Sequence, residues 1–277
     1  MADSMTQETR VAAHKKRIDR VVTYIHENLD APLDMDVLGD IACLSPHHWH
    51  RIYREIMGET ASQTVRRRRL WRAAHQLLNT PDSIEQIARV AHYSSTAAFT
   101  RAFANQYGTS PSLYRSKGKT TQMASIEKRS IDPIELIGMD HRGPHYEIGR
   151  TFDRLFAWAC TTDGMITPET KGIAVFFDDP REKPPEELTS LAAIPRPDGK
   201  ESGEGTRSYT IPGGPHAIAR HVGPYTELAR TYTELFQNWL PASGETRNGA
   251  PLFEINMNDP KTTVPSDLIT DIYVPLK

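Results

Sequence analysis

Residues 143–275 repeat themselves at a spacing of 80 with no gap, and this repeat constrains the fold more than any other feature of the chain. Gly143-Pro144 returns as Gly223-Pro224, Glu147 as Glu227, Arg150-Thr151 as Arg230-Thr231, and Leu155-Phe156 as Leu235-Phe236. The register continues through Gly164 and Gly244, Asp179-Pro180 and Asp259-Pro260, Leu188 and Leu268, and Pro195 and Pro275. A duplication this regular builds one domain from two copies of one unit. Each copy reads as strand, helix, strand, strand. In the second copy, His216 to Val222 alternates as a strand, and Tyr225 to Leu240 carries Leu228, Tyr232, Leu235, Phe236 and Trp239 at helical spacing. Leu252 to Met257 and Leu268 to Val274 are strands on either side of the Asn258-Asp259-Pro260 turn. Two such units meet about a pseudo-twofold axis with a cleft between them.

The N-terminal part is helical and also repeats. Ile18, Val21, Val22, Ile25 and Leu29 recur at helical spacing until Asp30-Ala31-Pro32 stops that helix. A short helix with Val37, Leu38 and Ile41 on its inner face breaks at Cys43-Leu44. Ser45-Pro46, an N-cap serine with proline in the first turn, then starts a helix that runs to Gly58. Fifty residues later Ser83 and Gln86 form a capping box for a helix carrying Ile84, Ile87 and Ala88, and Ser94 or Ser95 caps another that ends at Gly108. Trp49 corresponds to Phe99, Arg51 to Arg101, Tyr53 to Phe103 and Ser62 to Ser112. Each unit is a helix-turn-helix. Ala61 to about Asn79 joins them as one helix with Val65, Leu70, Ala73, Leu77 and Leu78 inward, roughly 27 Å long at 1.5 Å per residue. That is close to the ~34 Å between successive major-groove openings on one face of B-DNA. Arg66-Arg67-Arg68-Arg69 is placed to neutralise phosphates, or else forms a solvated face.

The fold class is therefore multidomain, an all-α tandem helix-turn-helix domain followed by an α+β domain of two repeated units. The expected division is a flexible tail over 1–12, the first domain over 13–116, a polar linker over 117–124 and the second domain over 125–277. Charge follows it: residues 1–120 hold 17 Lys and Arg against 12 Asp and Glu, and residues 121–277 hold 16 against 23. A basic half suited to phosphates is joined to an acidic half that stays off them. MADSMTQETR lacks the apolar core of a signal peptide, and no stretch approaches the roughly 18 apolar residues of a membrane span, so a cytoplasmic location without a membrane partner is expected. Cys43 and Cys160 have no CxxC partner and are expected to be buried, unreactive thiols. No cofactor is expected. The HHWH cluster offers two histidines at i and i+3 without a third ligand, which argues against a metal.

The stretch from about 33 to 115, above all LSPHHWHRIYREIMGETASQTVRRRRLWRAAHQLL and SIEQIARVAHYSSTAAFTRAFANQYGTSPSLYR, resembles the DNA-binding domain of the AraC/XylS regulators. The resemblance includes the closing G-x-S-P-x-x-Y-R at Gly108 to Arg115. It implies base contacts from His47, His50 and Arg51 in one unit and from Thr96, Ala97, Thr100 and Arg101 in the other. Helical spacing independently places His47, His50, Arg51 and Arg54 on one face, opposite Trp49, Ile52 and Tyr53. Arg51 and Arg101 are suited to bidentate guanine contacts. Double-stranded DNA, over two adjacent major-groove segments, is the expected partner.

In the second domain the copies differ at one charge: Glu254 sits in the apolar strand Leu252 to Met257 where its counterpart is Ala174. Facing the cleft among aromatics, a carboxylate makes a site for an organic cation. Alternatively Glu254 and Asn256 face water while Phe253, Ile255 and Met257 face the core. HVGPYTELARTYTELFQNWL, FEINMNDP and LITDIYVPL are similar to the GyrI-like effector-binding domain found in multidrug-sensing regulators. That resemblance implies that Glu254 faces a ligand cleft. Trp239, Tyr225, Tyr273, Trp158 and Phe156 are the candidate aromatic walls, each equally readable as core. An AraC-type reader fused to this domain is a known architecture that this chain resembles over nearly its full length. It implies a transcription regulator that senses a small hydrophobic or cationic effector and is not an enzyme. Two alternatives stay open. In one, Glu254 with Tyr225 or Tyr273 hydrolyses small electrophiles; in the other, the second domain is a contact module, toward RNA polymerase for example, on a constitutive DNA binder.

Overall fold

The N-terminal helices form where apolar spacing and caps coincide. They are α1 (Ala2–Glu27), α2 (Met35–Ala42), α3 (Pro46–Met57), α4 (Ala61–Asn79), α5 (Ile84–Val90), α6 (Thr96–Tyr107) and α7 (Pro111–Lys117). The structure is a computed structural model that describes residues 2–117 and 125–277, with the side chains of 2–13, Lys15, Pro46 and Lys117 outside the described set. The expected linker 117–124 lies outside the described residues apart from Lys117, the end of α7. Helix α1 begins at Ala2 where a flexible tail over 1–12 is expected. Residues 2–12 contain neither Gly nor Pro, so nothing in the backbone stops the helix from extending back from its packed part.

Two small cores hold the two units. Ile18, Val21, Val22, Ile25, Leu38, Trp49 and Tyr53 fill the first, and Leu70, Ala73, Leu77, Ile87, Phe99 and Phe103 fill the second. The four aromatics at equivalent positions, Trp49 with Phe99 and Tyr53 with Phe103, are all fully buried. Val37 departs from its expected inward position and is exposed. Ser83 and Gln86 form the capping box of α5, and the Ser95 hydroxyl accepts from the Ala98 amide at 3.1 Å to start α6. A second capping box, Thr60 with Gln63, starts α4. Gly58 and Gly108 end α3 and α6 in the left-handed conformation, at φ of 72° and 68°.

The second domain is one antiparallel sheet of eight strands: β1 (Ser125–Ile131), β2 (Ile134–Arg142), β3 (Ile173–Phe176), β4 (Thr189–Pro195), β5 (Arg207–Ile211), β6 (Gly214–Val222), β7 (Leu252–Asn256) and β8 (Ile269–Pro275). The order is β1-β6-β8-β7-β3-β4-β2-β5. Adding 80 to a residue number in the first copy turns that order into its own reverse, as a twofold axis requires. Each copy has a leading strand, β1 or β5, beyond the four expected elements. These leading strands are exchanged: β1 pairs with β6 of the second copy and β5 with β2 of the first. The exchange welds the two halves.

One helix from each copy packs on the same face of the sheet. In the first copy α8 (Gly149–Cys160) is continuous. In the second, α9 (Leu228–Thr233) passes into a π-turn over Glu234–Trp239 and ends as α10 (Leu240–Ser243). Pro241, where the first copy has Thr161, has no amide to give to the preceding turn, so the ladder there loosens.

Two expectations about side chains are corrected. Cys43 and Cys160 are exposed free thiols rather than buried ones; Cys43 holds the left-handed turn after α2, and Cys160 ends α8. The arginine run does not form one phosphate-facing set, because 100° per residue spreads four neighbours around the helix. Arg66 is exposed. Arg67 and Arg68 have side chains only 16% and 13% exposed, and Arg69 donates to the Leu29 and Ala31 carbonyls at 3.1 and 2.7 Å.

Candidate functional site

The first candidate surface belongs to α3 and α6. His47, His50, Arg51 and Arg54 are exposed on α3, and Thr96, Ala97 and Arg101 are exposed on α6, with Thr100 half-buried. The His50 ring stacks on Trp49 at 3.9 Å, and Arg51 lies 3.8 Å from Glu55 one turn on. Such an exposed ion pair contributes little, about 0.3–0.5 kcal/mol, so Arg51 is readily recruited by a base or a phosphate. At its far end α4 is capped by Arg115 of α7, which donates to the Leu77 and Asp82 carbonyls at 3.1 and 2.6 Å. The connecting helix is thus fixed against the second reading unit.

The second candidate site lies on the helix-bearing face of the sheet. Strands β3 and β7 pair with Ala174 directly opposite Glu254, and these two residues are also equivalents in the repeat. The pseudo-twofold axis therefore passes between them. A carboxylate in both copies would set like charges opposite each other at cross-strand distance, which is destabilising. Only one copy carries it.

Glu254 is 9% exposed, and the Tyr232 hydroxyl of α9 donates to its Oε1 at 2.6 Å. Burial pushes the carboxyl up to about 7, against the opposing pull of the Tyr232 hydrogen bond. Tyr232 was legible only as an inward helix residue, although the repeat register holds a signal for it. Its counterpart is Phe152, so the hydroxyl that Tyr232 adds meets the carboxylate that Glu254 adds. Phe152 sits beside Gly172 and Asn256, where a Cβ on Gly172 would lie 3.1 Å from its ring.

The aromatic candidates separate. Tyr225 lies in the turn leading into α9, half-buried, with a buried hydroxyl that has no hydrogen-bond partner. Burial first and the nearby Glu254 second raise that hydroxyl above its ordinary range. Trp158 and Phe156 pack in the cluster between α8 and the sheet with Leu155 and Ile194, and Trp239 packs in the matching cluster of the second copy with Leu235 and Ile272. Tyr273 is withdrawn from the site. Alternation along the paired strands β7 and β8 sends it to the opposite face from Glu254, where it stacks on Phe253 at 4.5 Å.

The reader and the sheet domain meet at this same face. Asp153 of α8 is buried against Arg68 Nε at 2.9 Å, His26 Nε2 at 3.2 Å and Arg67 Nη2 at 3.5 Å, and Arg67 also pairs with Glu59. Burial alone would raise the Asp153 carboxyl, but the guanidiniums of Arg68 and Arg67 outweigh it and hold the group well below the usual carboxylate range. Burial likewise lowers His26. Arg154 reaches Asp19 at 2.9 Å, Ala157 of α8 enters the core of the first helix-turn-helix unit, and Lys261 donates to the Met57 carbonyl at 2.8 Å. Tyr114 and Thr226 share a hydrogen bond, and Tyr146 stacks on His75 at 4.3 Å.

Two helix-turn-helix units joined by one long helix, and a duplicated sheet with a single charge at its axis, define a DNA reader carrying a small-molecule receptor. Residues 124–277 match the model of the GyrI-like small molecule binding domain, and the chain belongs to that family. Residues 38–117 match a helix-turn-helix domain model, of the AraC type. The regulatory protein SoxS of Escherichia coli is 34% identical over 103 residues, which cover 37% of this chain and 96% of SoxS. The probable transcriptional regulator YgiV of the same organism is 28% identical over 147 residues, covering 52% of this chain and 90% of YgiV. A DNA gyrase inhibitor of Edwardsiella piscicida is 31% identical over 160 residues, covering 55% and 96%. An AraC-type DNA-binding domain and a GyrI-like domain are thus joined in one chain whose relatives include transcription regulators.

Proposed function

We propose that the chain regulates transcription by setting α3 and α6 into two successive major-groove segments of double-stranded DNA and by taking a hydrophobic organic cation against Glu254. The observation that carries the second half is the solitary buried carboxylate on the axis, walled by Tyr232 and Tyr225. Its lost hydration is returned by a cationic ligand, and desolvated aromatic faces add about 2 kcal/mol of cation–π attraction. Glu254 is buried rather than open to solvent, which alone would suit a mere contact module. However, the buried group is charged rather than apolar, and the DNA reader packs on the same face of the sheet domain.

Glu254 acts here as a binding carboxylate rather than a catalytic one, since its Oε1 is already engaged by Tyr232. Recovery of intact ligand after prolonged incubation is the check, and a modified product would install the hydrolase reading. The cytoplasm, where the DNA is, is the proposed location, and RNA polymerase is the partner that an activating role would add.

The DNA half is tested by selecting a binding sequence with the parent protein and titrating it with Arg51→Ala and Arg101→Ala. Each substitution is expected to cost about 1–3 kcal/mol and to relax preference at its own base. Undiminished affinity with Arg101→Ala would remove α6 as a reading helix. For the cleft, tetraphenylphosphonium binding followed by tryptophan fluorescence is expected to weaken with Glu254→Gln. Equal affinity would take Glu254 out of the account.

A further inference from the structure

The reader's side of the cleft has a chemistry of its own. Arg68 of α4 donates to the Gly149 carbonyl at 2.5 Å and to Asp153, both on α8 of the first copy. The turn Tyr225–Glu227 of the second copy packs against the same helix, and the charges of Glu254, Arg68 and Arg67 all bear on Tyr225. Helix α4 therefore touches both copies on the face that holds Glu254, while Lys261 and Thr226 hold other parts of the reader around it. Enclosed with Glu254 is the unpartnered Tyr225 hydroxyl. An orphaned polar group so enclosed is destabilising, and a ligand with a hydrogen-bonding group relieves it.

Resting on the reading of Glu254 as the ligand carboxylate, we infer that the effector site is shared between domains: helix α4 of the DNA reader forms one of its walls, and Asp153 is the positioning residue that holds that wall shut. Entry of a ligand requires α4 to lift from α8, so the occupied cleft and the docked reader are alternatives. The apparent affinity is then reduced by the small fraction of molecules in which α4 is lifted. Loosening the dock raises that fraction, and by linkage a bound ligand loosens the dock. The reading faces of α3 and α6 are exposed in the docked form. What the ligand changes is thus the hold on the rod between the heads rather than access to them.

Gly149 supplies a variant that disturbs the dock without removing a charge. A Cβ there would overlap the Arg68 guanidinium, yet the equivalent helix position in the second copy is Ala229, so the backbone accepts alanine. The test uses the full chain and tetraphenylphosphonium, with binding rates from stopped-flow fluorescence and affinities from calorimetry. Gly149→Ala and Asp153→Asn are each expected to bind at least tenfold faster and tighter than the parent, and Asp153→Glu to return toward parent behaviour. Glu254→Gln should lose affinity in every background. Rates and affinities equal to or below the parent's in Gly149→Ala, with Glu254→Gln still weakening binding, overturn the shared wall and leave the ligand carboxylate standing. Insensitivity to Glu254→Gln, or no binding by parent and Gly149→Ala alike, overturns both. Should Asp153→Asn fail to fold, hydrogen exchange of the parent decides: saturating probe is expected to speed exchange along the α8-facing amides of α4, and unchanged protection contradicts the inference.

Discussion

The two copies of the repeated unit share a fold and divide the work. In both, a buried histidine braces the helix in the same way: His141 to Thr151 at 2.9 Å and to the Pro144 carbonyl at 3.2 Å, His221 to Thr231 and the Pro224 carbonyl at the same distances. Away from that brace they part. The first copy uses Asp153, Arg154 and Gly149 to hold the DNA reader, where the second has Thr233, Glu234 and Ala229. The second copy uses Tyr232 and Glu254 to build the floor of the cleft, where the first has Phe152 and Ala174. A duplicated scaffold allows the first copy to hold the buried charged dock while the second, which touches the reader only through lesser contacts such as Thr226 and Lys261, carries the sensing carboxylate, and the axis between them forbids two carboxylates at one spot.

That division can be broken at its strongest point. Asp153→Ala leaves two guanidiniums buried beside an empty seat and is expected to cost about 3–5 kcal/mol in denaturant unfolding. The equivalent exposed Thr233→Ala should stay within about 0.5 kcal/mol. Because the folded state holds the Asp153 carboxyl well below its ordinary value, this stabilisation is present above the usual carboxylate range and is lost as pH falls toward the depressed value. Equal costs at 153 and 233 would erase the distinction between a docking copy and a sensing copy.

The next largest effect has the opposite sign. Glu254 titrates at about 7 in the folded chain against an ordinary 4.5, so across that window the folded state keeps a proton the unfolded state has lost. Stability then falls as pH rises from about 4.5 to 7 and stays reduced above it. Glu254→Gln is expected to gain on the order of 2 kcal/mol at pH 8 and next to nothing at pH 4.5, read as Tm against pH. A variant less stable than the parent at pH 8 would mean that the carboxylate is well solvated or paired. The smallest effect sharpens the comparison by making the second copy resemble the first. Tyr232→Phe removes a hydrogen bond of about 1 kcal/mol and moves the Glu254 titration upward, as the pH midpoint of cation binding would show.

Much of this was legible in the chain, for identifiable reasons. The caps at Ser83 and Ser95, the glycines ending α3 and α6 and the span of α4 are local, and local rules read them. The strands β1 and β5 were missed because they lie at the sheet edges with little buried, and β1, SIEKRSI, has only its two isoleucines half-covered. In β1 there is no buried face to make an alternation, and β5, RSYTI, is short and shows only Tyr209 and Ile211 on its inner side. The exchange of those strands between copies is a matter of topology that no pattern along the chain records. The buried roles of Arg67 and Arg68 escaped because their partner Asp153 is some 85 residues away. Glu254 is legible as a departure from the repeat because it puts a charge among apolar residues, whereas Tyr232, which departs from Phe152 in the same register, keeps an aromatic ring at an inward helix position and reads as ordinary core. Tyr273 illustrates the converse: in a strand buried on both faces, composition does not tell which face a side chain takes until a partner strand fixes the register.

The central claim is that one carboxylate on the pseudo-twofold axis, pushed to near-neutral titration by burial, receives a cation. Calorimetric affinity for tetraphenylphosphonium between pH 5.5 and 8.5 tests it most directly. The account predicts an affinity that rises with pH through about 7, with a proton released on binding, and that is lower and flat in Glu254→Gln. A parent protein whose affinity does not change across that range would contradict it.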